Sequence, residues 1–320
     1  MPDLLGLTAY ASFFAVTALV NAIVCLGLNV QWGQTGLFNV GIAGFVAVGA
    51  YTSALLTTPA SDAHLGGFAL PITVGWLAAM AAAGAASAAV GAVTLRLRAD
   101  YLAITTFGVA VTVHLVALNA QSLTGGAFGI GFIPRPFASL AGQAWLFGLA
   151  NLALVGGLVA GLYVLLERLA RSPWGRVLRA IREEERAARS LGKNPALYRL
   201  QAFALGGAIM GLAGAVNAHF IGFIAPENYQ SALTFQVWTM LIVGGSGNNR
   251  GAILGAILVW ALWSLSGMAI GNFLPPEDQA RAAALRLVAI GVLLAATIVL
   301  RPRGLIGESM TVSRHVDGAA

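Results

Sequence analysis

Lys193 is the only lysine in a chain of 320 residues, and it sits in SLGKN, residues 190–194. A loop that cradles nucleotide phosphates reads G-x-x-x-x-G-K-[ST], with the lysine on the outer phosphates and the hydroxyl on magnesium. Here Asn194 follows the lysine and the earlier glycine is missing. This chain is therefore not expected to bind ATP through such a loop. Carboxylates are also sparse where ion-driven carriers need them: Asp100 and Glu167 stand at the ends of apolar runs, and the others fall in loops or tails. Proton-driven pumps usually place an acid inside the bundle, so proton coupling is disfavoured, although backbone carbonyls could still hold sodium. There is no H-E-x-x-H, no intramembrane aspartate pair and no G-x-S-x-G elbow. No nucleophile and base stand together, so a non-catalytic chain is expected. Cys25 is the one cysteine and lies in an apolar run, which leaves no disulfide and no thiolate metal site.

The polar groups that remain suit a path for a small solute. His114 lies within FGVAVTVHLVALN, residues 107–119. An ionisable side chain at that depth is a functional candidate; the plainer reading is a neutral histidine bonded to a neighbouring helix. His219, near a run's end, favours the plainer reading. NVQWGQTGLFNVG, residues 29–41, carries Asn29, Gln31, Gln34 and Asn39 directly after the first apolar run. It is either a loop or a discontinuous segment entering the bundle, since irregular backbone at membrane depth survives only against protein or water. LNAQSLTGGAFGIGF (118–132), with Asn119, Thr124, Gly125 and Gly126, and VGGSGNNRGAILG (243–255), with Gly244 and Gly245, read as interrupted helices. Each follows an apolar run that opens on threonine, TTFGV from Thr105 and LTFQV from Leu233. The two runs are expected to cross in opposite directions, as in inverted repeats.

RSPWGRVLRAIREEERAARSLGKN, residues 171–194, concentrates charge that the rest of the chain avoids. Ser172 before Pro173 suits an N-cap, Gly192 suits the position after a helix end, and Asn194-Pro195 opens a new element. One helix of four to five turns is expected between them. Val177, Leu178, Ile181, Ala188 and Leu191 would form an apolar stripe opposite Arg and Glu, with Glu185 and Arg189 paired at i, i+4. Such a helix could lie on lipid. Three successive glutamates, Glu183 to Glu185, suit a protein groove better.

The bulk of the chain must hold these groups in a membrane. It is 58% hydrophobic and 9% charged, with 40 glycines and a mean hydropathy of +0.81. Soluble domains carry about 25% charged residues. The sequence pI near 10.1 would suggest nucleic acid in a soluble protein. Here it points to arginines holding loops at a lipid surface, and no nucleic-acid partner is expected. Apolar runs lie near 7–28, 38–58, 70–94, 101–119, 143–166, 200–224, 251–272 and 283–300, with a shorter one at 233–245. Basic residues cluster at Arg96 and Arg98, in 167–199, and at Arg301, Arg303 and Arg314. If all three regions are cytoplasmic, the number of crossings between them is even, which makes 233–245 a crossing. The expectation is an all-α polytopic membrane protein of about nine spans (eight to ten). It is one domain over 1–320, its N-terminus outside and retained, its C-terminus cytoplasmic. The outer face would carry Arg135, Arg281, Arg286, Asp62, Glu227, Glu277 and Asp278.

The order and spacing of several blocks resemble a known family. AIREEERAARSLGKNPALYRLQAFALGGAIMGLAGAV (180–216), GLNVQWGQTGLFNVGIAGFVAVGAYTSALL (27–56), YLAITTFGVAVTVHLVALNAQSLTGGAFGI (101–130), GGSGNNRGAILGA (244–256) and RPRGL (301–305) are similar to LivM-type permeases. These are the membrane subunits of branched-chain amino-acid ABC importers. The resemblance implies a cytoplasmic coupling helix within 167–199 that docks on an ATPase and would use Arg182, Glu183, Glu185, Ala187, Ala188, Leu191 and Gly192. The wider E-A-A-x-x-x-G pattern matches at Ala187, Ala188 and Gly192, while Arg186 stands at the glutamate position. It further implies two ATPase subunits carrying ATP and magnesium, a second related permease, an extracytoplasmic binding protein and a bacterial inner membrane. The cargo would be branched-chain or other small hydrophobic amino acids, with urea, short amides or small aromatic acids as alternatives. A stand-alone carrier or channel is the rival class.

Overall fold

A computed structural model describes residues 2–61, 65–273 and 275–308. Asp62 and Arg314 lie outside the described residues. The structure is all-α; among the described residues the extended contact is one isolated bridge, Ile130 to Ile224. The membrane helices are α1 (Pro2–Leu28), α2 (Ile42–Thr57), α3 (Ile72–Thr94), α4 (Ala99–Asn119), α6 (Ala144–Arg171), α9 (Pro195–Ile221), α10 (Ser231–Gly244), α11 (Asn249–Phe273) and α12 (Pro276–Leu300). One-turn α5 is Gln121–Thr124, and α7 (Pro173–Glu183) and α8 (Glu185–Ser190) lie outside the bundle. Among the described residues, six helices are long and apolar enough to cross a membrane. The run at 233–245 becomes α10, whose 14 residues rise about 21 Å, short of a core of about 30 Å. Helix α2, with 16 residues, is also short, because the chain enters the bundle before helix resumes.

Helices α1 and α9 form the centre, against α2, α3, α6 and α11. Hydrophobic burial gives no drive for helices to associate in lipid, so close contact of small residues must. At Gly49 on α2, a Cβ would strike the backbone of Gly211 on α9. At Gly207 on α9 it would strike Ser87 on α3. The glycine-rich faces are therefore the contact surface.

Two expectations change. The charged stretch forms two helices: Glu184 is extended (φ −149°, ψ 99°), and its carboxylate accepts from the Arg186 N–H, so it caps α8. Ser172 stands at the cap position of α7, but its hydroxyl donates to the Leu169 carbonyl (2.7 Å) and leaves the α7 N–H groups alone. Asn194 does cap α9, accepting from Leu197 N–H, and Gly192 has φ +74° as a helix-ending residue requires. Arg286 lies within α12, inside the run expected at 283–300, with its guanidinium 3.6 Å over the Trp263 ring.

Candidate functional site

The chain leaves α1 through a π-turn, Asn29–Gly33, and then runs irregularly through 34–41 to the start of α2. Irregular backbone this deep exposes N–H and C=O groups that lipid cannot satisfy, and the sequence supplies partners for them. Asn39 Oδ1 accepts from Gly41 N–H (2.7 Å), and Trp238 Nε1 donates to the Asn39 carbonyl (2.9 Å). Thr106 on α4 accepts from Val40 N–H (3.0 Å), and Thr234 on α10 accepts from Ala43 N–H (3.2 Å). These threonines occupy the same place in TTFGV and LTFQV, and their helices run in opposite directions. The paired motifs thus clamp the beginning of α2 from two sides. Gln31 joins this set, donating to the Phe203 carbonyl (2.8 Å) and accepting from Asn39 (2.7 Å). Trp32, Phe38 and Trp238 enclose the turn, ring centroids 4.8–5.5 Å apart.

A second set lies at the end of the bundle that bears α7 and α8. Asn29 donates to Asn249 Oδ1 (2.9 Å) and accepts from Gly247 N–H (2.8 Å), and Asn249 reaches Glu167 (3.2 Å). Arg182 on α7 donates to the Gly33 carbonyl and sits 2.7 Å from the Glu308 carboxylate. Gly244 and Gly245 end α10 here. Leu305 and Ile306 N–H groups donate to the Val243 and Gly244 carbonyls (both 2.9 Å), so residues from the chain's far end cap that helix. The break at 243–255 is therefore a joint wrapped by 303–306.

At the opposite end α4 stops at Asn119. Thr124 Oγ1 donates to the Ala117 carbonyl (2.6 Å), and Gly125 (φ +74°) turns the chain where a Cβ would strike the Gly129 carbonyl. Gly126 N–H is bonded to Thr124 Oγ1 (3.3 Å), so the Thr124 hydroxyl ties this turn to the end of α4.

Two cavities flank α4. One, of about 300 Å³, lies between α2 and α4 and is largely apolar, with Tyr51, Thr52, Thr112 and Thr124 on its wall. The other, of about 290 Å³, is lined by His114, Tyr229, Gln230 and Ser231. His114 Nδ1 lies 3.1 Å from the Pro226 carbonyl, so that nitrogen carries the proton. The Tyr51 and Tyr229 rings are 6.0 Å apart, and both hydroxyls are buried without a partner. Burial, with Tyr51 nearby, pushes the Tyr229 hydroxyl well above the usual tyrosine range. His219 is a satisfied core residue, held between Ser53 (2.8 Å) and the Pro134 carbonyl (2.7 Å).

The residues singled out in the sequence therefore fall into separate groups. Asn29, Gln31, Gln34 and Asn39 are buried and engaged with protein; His114 and Thr124 line cavities. Thr105 bonds its own helix at Tyr101, and Asn119 does so at Leu115; the bundle-facing threonine is Thr106. In the charged stretch, Leu178, Ile181 and Ala188 are buried against the chain itself, while Leu191 is 80% exposed. The apolar stripe is thus already occupied. Glu185 holds α8 to α9 through Arg199 (2.7 Å). Glu183, Ala187, Leu191 and Gly192 face outward. Thr106, Thr234, Asn249, Glu308, Tyr51 and Tyr229 were not singled out. The shared threonine–phenylalanine pairs were the available signal for the first two.

A bundle with a discontinuous entry into its centre, shortened helices beside it and a bracketed polar helix pair at one end defines a polytopic all-α membrane permease. The chain belongs to the family described as branched-chain amino acid transport system / permease component, whose model matches residues 10–298. It is 38% identical to the high-affinity branched-chain amino acid transport system permease protein LivM of Escherichia coli K12, over 77% of this chain and 61% of that protein. It is 31% identical to the probable branched-chain amino acid transport permease protein LivM of Methanocaldococcus jannaschii, over 73% of this chain and 75% of that one. A shorter likeness, 33% over 32% of this chain, joins it to the autoinducer 2 import system permease protein LsrC of Escherichia coli O157:H7. The chain thus spans about three-fifths of the length of the Escherichia coli LivM it matches. No solved structure matches the chain.

Proposed function

We propose that this chain is a permease subunit of an ATP-driven (ABC) importer in a bacterial inner membrane, forming a path for branched-chain or other small hydrophobic amino acids. Family membership supports the class, and two LivM proteins among its relatives support the cargo. Two ATPase subunits would hydrolyse Mg-ATP, a second related permease would complete the path, and an extracytoplasmic binding protein would deliver the cargo. The chain itself would be non-catalytic. The end bearing α7, α8 and Glu308 would face the cytoplasm, with the N-terminus on the other side.

The observation that carries this reading is the double attachment of Arg182. It bonds the Gly33 carbonyl at the mouth of the discontinuous segment and the Glu308 carboxylate beside the joint after α10. A push on α7 would therefore be delivered to the segment that opens the bundle. The outward residues Ala187, Leu191 and Gly192 would take the ATPase contact, while the inward ones transmit it. The cavities beside α4 would admit the cargo, the α2–α4 one its apolar side chain.

The test is co-purification from native membranes of the full chain, wild type against Leu191→Arg and Ala187→Arg, with ATPase activity read on the eluate. Both positions are exposed, so folding should survive. ATPase activity with wild type and its loss in the variants is the expected result. A wild-type chain that brings down no ATPase, and transports alone in liposomes under an ion gradient, would make it a carrier.

A further inference from the structure

The hairpin between α3 and α4 meets α8 and the start of α9 around a cleft of about 780 Å³. Five cations line it, Arg96, Arg98, Arg189, Lys193 and Arg199, against a single carboxylate, Glu185. Glu185 is already engaged by Arg189 and Arg199, each at 2.7 Å. Arg96, Arg98 and Lys193 form no ion pair and no side-chain hydrogen bond with the described residues. Arg199 Nε is buried with no partner. Asp100, in the first turn of α4, pairs with none of them. The cleft also receives the start of α4, which no side chain caps, so its first N–H groups remain free to bind an anion.

We propose that this cleft binds the phosphate-bearing headgroup of an anionic phospholipid. The surroundings separate a lipid from a soluble anion. The cleft lies at the membrane ends of α3 and α4, and an apolar surface continues from it along the hairpin: Val93 is 76% exposed, Ile104 69%, and Leu97 and Tyr101 are also exposed. A headgroup among the cations would lay its acyl chains along those residues. An acidic protein groove would satisfy the charges and leave that stripe unused. Because one wall is α8 and the opposite wall is the α3–α4 turn, the bound lipid would tie α8 to the membrane bundle beside the existing Glu185–Arg199 bridge.

The test is native mass spectrometry of the full chain titrated with phosphatidylglycerol or phosphatidylcholine, wild type against Arg96→Gln/Arg98→Gln/Lys193→Gln. A control variant, Arg168→Gln/Arg176→Gln, removes two exposed cations at the same end but outside the cleft. Wild type should retain phosphatidylglycerol in preference to phosphatidylcholine. The triple variant should weaken that retention by roughly a hundredfold, a factor of about five for each cation removed near a lipid surface. The control should keep it. Equal retention by the triple variant, or equal loss in the control, would overturn the site in favour of a diffuse surface potential. Displacement of the lipid by glycerol phosphate at equal concentration would also overturn it, since the apolar stripe would then contribute nothing.

Discussion

The Arg182 guanidinium lies 2.7 Å from the Glu308 carboxylate, and 126 residues separate them in the chain. Both side chains are about one-quarter exposed, so the pair is partly shielded from solvent, and Arg182 simultaneously holds the Gly33 carbonyl. One cation therefore connects the charged helix pair, the discontinuous segment and the residues after α12.

Removing that cation should uncouple the chain without unfolding it. Arg182→Ala is expected to leave ATPase subunits bound while lowering cargo-stimulated ATP hydrolysis by about tenfold, within the 0.5–2 kcal/mol by which linking residues alter coupling. Hydrolysis and uptake measured together on the reconstituted complex decide it; unchanged stimulation would remove Arg182 from the connection.

Gln31 should matter for stability. Gln31→Leu keeps the volume but deprives buried Asn39 of its acceptor and the Phe203 carbonyl of one donor. A buried group left unpaired costs about 1–3 kcal/mol. Thermal unfolding in detergent should show a lowered midpoint, and an unchanged midpoint would mean that water replaces the side chain.

The helix crossing at Gly49 should tolerate no added carbon. Gly49→Val places its Cβ on the Gly211 backbone, and overpacking of this kind costs about 1–3 kcal/mol or more. Gly157, with open space around it, is the comparison site: Gly157→Val should express and purify as the parent does, while Gly49→Val should not. Gly125→Val belongs with Gly49→Val, because the Gly129 carbonyl occupies the space its Cβ would need.

Tyr229 separates structure from transport. Its hydroxyl is buried and unpartnered, so Tyr229→Phe should leave the melting temperature unchanged or raise it by a degree or a few, as befits the removal of a group worth about 1 kcal/mol when unpaired. If the hydroxyl meets cargo beside His114, uptake should fall nonetheless. Uptake that stays at the parental level would take Tyr229 out of the path.

Much of the fold was legible because membrane burial writes itself in composition. The runs at 70–94, 101–119 and 200–224 become α3, α4 and α9 within a few residues, and the short apolar run at 233–245 becomes α10. The discontinuous entry at 29–41 was marked by polar residues that have no reason to follow an apolar span unless something inside receives them. What stayed hidden depends on pairings across long stretches of sequence. The shared threonine–phenylalanine pairs mark Thr106 and Thr234 as alike without revealing that both meet α2, and nothing in the charged run shows that Glu184 interrupts it, because glutamate is a good helix former. Leu191 fits the stripe by spacing, but it stands just past the end of α8 and is exposed, while Ala188 within α8 stays buried.

The capping of α10 by Leu305 and Ile306 bears on biogenesis. The last carbonyls of a helix have no partner within it and need one from elsewhere. The α10 carbonyls must wait until α11 and α12 have been synthesised and inserted and the following residues have folded back. Until then the joint beside the discontinuous segment stays open. A chain stopped before residue 305 would lack this closure.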